Sequence, residues 1–381
     1  MLAPLTLMTT CALCALSTAP VFAGGIERTA FSTGLLFEQG RVVQFELGGF
    51  RPDVSGRLSP AFGPLAGTGS GDMTTDFGLW TLGAKLPLGD RTDLMISFDH
   101  PYGADVSYPR TGSGYILEGS TATLDSSALT GVLRYRLTPA ISTLAGIRVE
   151  QMTGIASLNL APPSLPGVTL GYDVDASRET DMGYILGVAW EKPEIGARVA
   201  LTYLSSITHD FDGRETYSTP YGSQTATTSW TSEIPQSVLL EAQTGIAPDT
   251  LLFGTIRWTD WSAFSVAPGL YRATAFSSDG SNLVDPIEDT VTYSLGLGHR
   301  FTESWSGAVI ATYEPSSGNI VGNLGPTDGY RSLTLAATWT HEAVSSSFAL
   351  RYVEIGGADT RIAGFDDNSG WGAGMRISYR F

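Results

Sequence analysis

The chain has 381 residues, with 22 basic and 38 acidic side chains and a net charge of −16. So acidic a chain lacks the basic footprint of a nucleic-acid binder. With 16% charged residues, 45 glycines and no internal run near the roughly 18 apolar residues of a membrane helix, it suits a β-barrel better than a soluble enzyme or a helical membrane protein.

In chain order, Met1 to Ala23 reads as a signal peptide, with an apolar Leu5–Leu16 and a cleavage site at Val21-Phe22-Ala23. It lacks the usual basic start, which a misassigned start codon would explain. Cys11 and Cys14 fall inside it, behind Thr10 and Leu13 rather than the small residue that lipidation wants. The mature chain is therefore expected to hold no disulfide, thiol catalyst or thiolate metal site. Gly24 to Gly40 forms a short segment before the first strand, with Phe31, Leu35, Leu36 and Phe37 apolar.

From Arg41 to Phe381, alternating segments recur near 41–50, 75–86, 90–98, 124–137, 140–154, 180–192, 195–208, 236–247, 250–261, 289–301, 304–314, 330–341, 344–355 and 370–381. That is about fourteen strands, the even number of a single-chain bacterial outer-membrane barrel. Every second connection is tight, as at Pro87–Asp90, Lys192–Glu194 and Glu342–Ala343. The others (51–74, 99–123, 155–179, 209–235, 262–288, 315–329 and 356–369) are long and rich in Gly, Ser, Pro and Asp. Short periplasmic turns alternating with long outer loops is the mark of one-directional insertion. A soluble sandwich has no reason to sort its loops by parity.

The lipid face follows from the period of two. Strand 124–137 turns Leu129, Gly131, Leu133, Tyr135 and Leu137 outward, and Thr130, Arg134 and Arg136 inward. Strand 180–192 turns Met182, Tyr184, Leu186, Val188 and Trp190 outward. The closing strand puts Trp371, Ala373, Met375, Ile377, Tyr379 and Phe381 on lipid, and Arg376 and Arg380 in the lumen. Trp80, Trp190, Trp258, Trp261, Trp305, Trp339 and Tyr379 sit near strand ends, where interfacial girdles lie. The terminal Phe381 reads as the signal for the barrel assembly machinery, with outer-membrane lipid and lipopolysaccharide as surroundings and a monomer as the expected state.

Four stretches carry a family resemblance. Arg257-Trp-Thr-Asp-Trp-Ser-Ala-Phe264 is similar to a Trp-x-x-Trp-Ser-x-Phe segment of the FadL family, and Pro235 opens the same unit. Leu324-Gly-Pro-Thr-Asp-Gly-Tyr-Arg331 resembles the family's Pro-x-Asp-x-x-Arg entry to a late strand, and Ile362-Ala-Gly followed by the Gly-rich run to Phe381 resembles its ending. The resemblance is best over 235–381. It implies a fourteen-stranded outer-membrane channel for long-chain fatty acids or other hydrophobic compounds. The sequence departs from the family at its start: an Asn-Pro-Ala plug of some forty residues is replaced by Gly24–Gly40, a shortened plug.

If the family mechanism carries over, ligand is caught on an apolar outer groove, enters the lumen, and leaves sideways through the wall or inward past the plug. Loop 155–179 offers such a surface in Ile155, Leu158, Leu160, Pro162, Pro163, Leu165, Pro166, Val168 and Leu170, and loop 262–276 adds Phe264, Val266, Leu270, Tyr271 and Phe276. Arg148, Arg257, Arg351 and Arg376 project inward and are candidates for a fatty-acid carboxylate. The plainer reading pairs them with Glu46, Glu150 and Glu241. The four histidines lack metal-ligand spacing, and neither metal nor cofactor is expected. The alternatives are a general porin for small polar solutes and, more remotely, a barrel hydrolase, for which His100/Asp99 and His209/Asp210 would project to opposite sides of a strand.

Overall fold

The structure is a computed structural model that describes residues 26–277 and 279–381. The signal peptide, its cleavage site and both cysteines lie outside the described residues. Fourteen strands form the barrel among the described residues. They are β1 (Val42–Asp53), β2 (Phe77–Pro87), β3 (Thr92–Asp99 and Gly103–Ser107), β4 (Thr121–Arg136), β5 (Ile141–Leu160), β6 (Leu170–Ala176 and Glu179–Lys192) and β7 (Ala197–Leu204 and Ile207–Thr219). The remainder are β8 (Gly222–Ile234 and Ser237–Ala247), β9 (Thr250–Thr259), β10 (Thr290–Arg300), β11 (Trp305–Glu314), β12 (Tyr330–His341), β13 (Val344–Ile355) and β14 (Asn368–Arg380). Each pairs antiparallel with the next. β1 closes the ring on β14 from Val42↔Arg380 to Asp53↔Ser369, and the Phe381 N–H donates to Arg41 O at 3.0 Å.

Closure pairs the first strand with the last, as a bilayer favours because it offers backbone groups no water. The outward positions are apolar and exposed, as at Leu129, Leu133, Met182, Leu186 and Leu335, while Arg134, Arg148 and Arg376 are buried in the lumen. A charge on the lipid face would cost roughly 2–4 kcal/mol at mid-bilayer. The alternation therefore fixes the register.

The strands differ from expectation in length. Of the segments expected as outer loops, 209–235 is almost all strand, 155–179 is strand at 155–160 and 170–176, and 99–123 is strand at 103–107 and 121–123, so β3 to β8 run on beyond the membrane. There the pattern inverts. In β6, Met182, Tyr184 and Leu186 face lipid, but above them Tyr172 and Val174 face in while Asp173 and Asp175 face out. In β7, Val199 and Leu201 face lipid, while Phe211 faces in and Asp210 and Asp212 face water. Outside the bilayer the apolar side of a strand belongs to the interior.

Residues 26–40 run inside the barrel. A short 3-10 helix, Gly34–Phe37, places Leu35 and Leu36 in a core with Phe31, Met95, Val132, Leu144 and Leu239. Glu241 holds this segment by accepting from the Thr33 N–H at 3.1 Å, the Ser32 hydroxyl at 2.6 Å and the Thr33 hydroxyl. Lys85 Nζ donates to Glu38 O and Gly40 O at its far end. Over the outer mouth, short strands at Arg57–Leu58, Ile320–Val321, Ala358–Thr360 and Ala363–Phe365 make a separate small sheet, packed around Val54, Leu58, Met73 and Phe365.

Candidate ligand-binding site

The outer half of the lumen holds a cavity of about 160 Å³. Its walls are Ile155 and Ala156 of β5, Val174 and Ala176 of β6, Phe211 of β7 and Trp230 of β8, with Leu324 from the β11–β12 connection. Its roof is the β9–β10 connection, which supplies Trp261, Phe264, Val266, Leu283 and Val284. Glu215, fully buried on β7, seats that connection by accepting from the Leu270 N–H at 3.1 Å and the Tyr271 N–H at 2.8 Å. The Tyr172 hydroxyl donates to the same carboxylate at 2.7 Å. Burial pushes the Tyr271 phenol up to about 12, helped by Asp279 and Asp285, so the roof carries a neutral hydroxyl. The charged residues lining the cavity are Asp105 and Asp285, and none of its lining residues is basic.

This geometry redistributes the sequence-derived candidates. Phe264 and Val266 line the cavity, Tyr271 and Phe276 pack in the same cluster, and Leu270 is buried with its N–H on Glu215. Of the candidates in 155–179, Ile155 lines the cavity; Leu158 and Leu170 are buried strand residues, Leu160 is partly buried at the end of β5, and Leu165 and Val168 sit on the short remaining tip, none of these five on the cavity. The roof thus comes from 262–288 rather than 155–179, because 155–160 and 170–176 are taken up as strands. Trp261, expected in a girdle, is 1% exposed and lies on the cavity. Trp258 is half-buried and donates to Asp289 at 3.2 Å. Trp230 and the kink at Pro101, both central to the site, stood in segments read as loops. The signal available for Trp230 was the alternation Trp230, Ser232, Ile234 against Thr231 and Glu233.

The four arginines lie away from this cavity, and each is engaged. Arg148 pairs with Asp99 at 3.2 Å and donates to Thr130. Arg257 pairs with Glu27 of the plug segment, and Arg376 with Glu46. Arg351 donates to Ser332 at 3.1 Å and lies over the Tyr330 ring. Arg257 and Arg351 border a second, more polar cavity of about 130 Å³ beside the plug segment, together with Glu27 and Glu241. Of the expected acidic partners, Glu46 meets an arginine, Glu241 holds the plug segment, and Glu150 lies 3.7 Å from His209.

The wall beside the apolar cavity is incomplete. β2 and β3 pair from Pro87↔Asp93 to Leu82↔Phe98, and the same register resumes at an isolated bridge, Thr74↔Val106. Between these, Phe77–Thr81 pair with β1 and have no ladder to β3. Pro101 causes the break, since it lacks an N–H for the ladder and sits where three residues, 100–102, oppose two of β4. The plug segment takes up the freed groups. The Arg28 N–H donates to Pro101 O at 2.8 Å, and the Gly103 N–H donates to Ile26 O at 2.7 Å.

The Arg28 side chain then crosses the unpaired stretch. It pairs with Asp105 of β3 and lies 4.1 Å from the Phe77 ring centre of β2. Gly103 leaves room for it, because a Cβ there would collide with the guanidinium. Trp80 and Phe98, stacked 4.9 Å apart, flank the lipid side of the gap. Met73, Thr74 and Ala104–Val106 belong both to its upper edge and to the cavity wall.

Residues 64–319, more than half the chain, match the profile of the outer membrane protein transport protein family, OMPP1/FadL/TodX. The match takes in Arg257–Phe264 but ends before Leu324–Arg331 and the closing strand, so it lies earlier in the chain than the resemblance over 235–381 suggested. No curated protein matches the chain in sequence. Among solved structures, a Pseudomonas aeruginosa FadL homologue superposes with a TM-score of 0.74 at 16% identity, covering 91% of this chain and 92% of its own. The P. putida toluene transporter TodX gives 0.63 at 11% identity over 90% of each chain. The Ralstonia pickettii toluene transporter TbuX gives 0.63 at 15% identity over 91% of this chain and 90% of its own. At such identities these likenesses speak to the fold, while the profile match carries the family. The chain belongs to the FadL/TodX family of outer membrane transport proteins, β-barrel channels for hydrophobic compounds in the Gram-negative outer membrane.

Proposed function

We propose that this channel takes up small, neutral hydrophobic molecules of about the size of a monoaromatic hydrocarbon and releases them sideways into the outer membrane between β2 and β3. The observation that carries this is the apolar cavity of about 160 Å³ with no basic lining residue, set against the gap in the wall. An apolar cavity of about 150 Å³ is large enough to stay dry and hold benzene. A long-chain fatty acid, the ligand first expected from the sequence, brings a carboxylate. Here it would meet Asp105 and Asp285 but no free cation, since Arg28 beside Asp105 is already paired with it and the inward arginines are engaged elsewhere. Neutral ligands lose nothing at such a wall.

Sideways release follows the same physics. An apolar molecule leaving downward would cross the charged region around Glu27, Glu241, Arg257 and Arg351. Leaving between β2 and β3 it passes Arg28 and reaches Trp80 and Phe98 at the lipid surface. The filled lumen also argues against a steady, ohmic porin. The test is uptake of labelled toluene and oleate by cells carrying or lacking the gene. Toluene uptake that depends on the gene, with oleate unaffected, is the expected result. Gene-dependent oleate uptake without toluene uptake would restore the fatty-acid reading.

A further inference from the structure

The wall has a second break, between β6 and β7. These strands pair from Ala197↔Lys192 to Leu204↔Ile185, and again in the same register from Gly213↔Ala176 to Ser218↔Gly171. Between the two ladders, 178–183 and 206–211 have none to each other, although β5 pairs with 179–183 and β8 with 207–211 on their far sides. The cause is a mismatch of phase. On β7 the buried set changes from Ala200, Thr202 and Leu204 to Ile207, His209 and Phe211, with the switch at Ser205-Ser206. On β6 Met182 and Tyr184 still face lipid at that height, and the buried set becomes Tyr172 and Val174 only beyond Ser177. The exposed Met182 would therefore stand opposite the buried Ile207, whereas opposed residues of a ladder face the same side.

Side chains close this break in place of a ladder. At its ends the Tyr184 N–H donates to Ser205 Oγ at 2.9 Å and the Asp212 N–H to Ser177 Oγ at 3.0 Å. In its middle His209 Nδ1 donates to Asp181 Oδ2 at 2.8 Å, and the other ring nitrogen faces Glu150 of β5 at 3.7 Å. Ile207 covers Gly183, where a Cβ would stand 2.8 Å from Ile207 Cγ1. His209 is fully buried, while the Asp181 side chain is 39% exposed. Phe211 and Ala176, at the upper end, also line the apolar cavity. Tyr184 and Tyr203, with ring centres 5.9 Å apart, flank the lower end. The break between β2 and β3 follows the same plan, with Arg28 meeting Asp105 across it and Trp80 stacked on Phe98 at the lipid surface.

We infer that the break between β6 and β7 is a second lateral route from the cavity to the membrane, and that His209 on Asp181 is its latch. This rests on the reading of the apolar cavity as the ligand site. Parting the strands here disrupts side-chain contacts and no ladder, so the wall opens without leaving a row of backbone groups unpaired in lipid. The cavity then opens on both flanks of the panel formed by β3 to β6.

The test is uptake of labelled toluene by cells carrying the full-length protein. His209→Ala and Asp181→Ala break the latch from either strand, and each is expected to raise uptake about two-fold, the scale of a partly exposed charge pair. Asp181→Ala, on the exposed side of the latch, keeps the test open if His209→Ala fails to assemble, and heat-modifiable migration on gels checks that each variant is a folded barrel. Two parallel routes add, so Asp181→Ala is expected to add the same increment of uptake in an Arg28→Ala background. Ionic conductance in planar bilayers is expected to stay at the wild-type level. If neither latch variant raises uptake, or the increment vanishes beside Arg28→Ala, the second route is overturned and the cavity reading stands. A rise in ionic conductance alongside uptake would trace the flux to a loosened barrel and overturn the route as well. If wild-type cells show no uptake that depends on the gene, both readings are overturned.

Discussion

The two halves of the lumen are built on opposite rules. The outer half is an apolar chamber roofed by aromatic residues, with its two lining carboxylates held by Arg28 and the Asn282 N–H. The inner half is a set of charge pairs, Arg257 with Glu27, Arg376 with Glu46 and Arg134 with Glu191, closed around the segment 26–40. Buried pairs of this kind are weak evidence for stability, because desolvation offsets their attraction. What they supply here is position: they fix one short segment across a wide barrel. The difference teaches that binding and blocking have been separated along the axis. The charges a ligand would pass, Asp105, Asp285 and Arg28, are each already engaged.

The sharpest way to break this contrast is to put a charge in the outer half. Val174, 5% exposed on the cavity wall, becomes an unpaired buried carboxylate in Val174→Asp. Uptake of toluene is expected to fall at least ten-fold, while the barrel still assembles because β6 at that height lies beyond the bilayer. Normal uptake by this variant would show that ligand does not traverse the cavity.

Removing a charge from the inner half has a smaller and different effect. Glu241→Ala strips three donors of the plug segment of their acceptor, at about 1.5–3 kcal/mol for a hydrogen bond to a charged group. The segment then loosens, and bursts of ionic conductance are expected in planar bilayers where wild type is silent. Unchanged silence would mean that the apolar packing of Phe31, Leu35 and Leu36 holds the segment unaided.

At the boundary between the halves, Arg28→Ala removes the side chain that bridges β3 to Phe77 of β2. Hydrocarbon flux is expected to rise about three-fold, with a similar change in Asp105→Ala. If the two residues act through their pairing, the double variant adds little to either single one, the signature of a coupled pair. Additive effects would locate the barrier elsewhere in the wall.

How far these halves could be read from sequence depends on where a residue sits relative to the bilayer. Inside it, one apolar phase runs through each strand, so Leu129, Leu186 and Ile377 announce the lipid face and Arg148 and Arg376 the lumen. Above it the phase inverts, and the alternation of Asp173, Val174 and Asp175 reads as a polar loop when lipid-facing strands are sought. The chamber is built mostly from that inverted region and from the roof 262–288, so most of its lining escaped notice. Ile155, Phe264 and Val266 were the exceptions, each standing in a loop already marked out by its apolar residues. The arginines were correctly turned inward, but partners as distant in sequence as Glu27 and Arg257, or Glu46 and Arg376, follow from closure of the ring and not from any local pattern.

The smallest expected effect tests the inner half by pH. Glu38 ends the plug segment beside Arg380, and its carboxyl sits above the usual range because burial outweighs the attraction of Arg380. A carboxyl raised in the folded state favours folding while it stays protonated. Its contribution is therefore full below the ordinary carboxylate range and is lost as pH rises through the raised value. Glu38→Gln, neutral throughout, carries no such dependence. The stability of wild type relative to Glu38→Gln, read from urea midpoints of the detergent-solubilised barrel, is expected to be level in acid and to fall as pH climbs above the ordinary range. A difference that instead grows in favour of wild type with rising pH would mean that the attraction of Arg380 outweighs burial. The inner half would then be held by charge attraction more than by the packing around it.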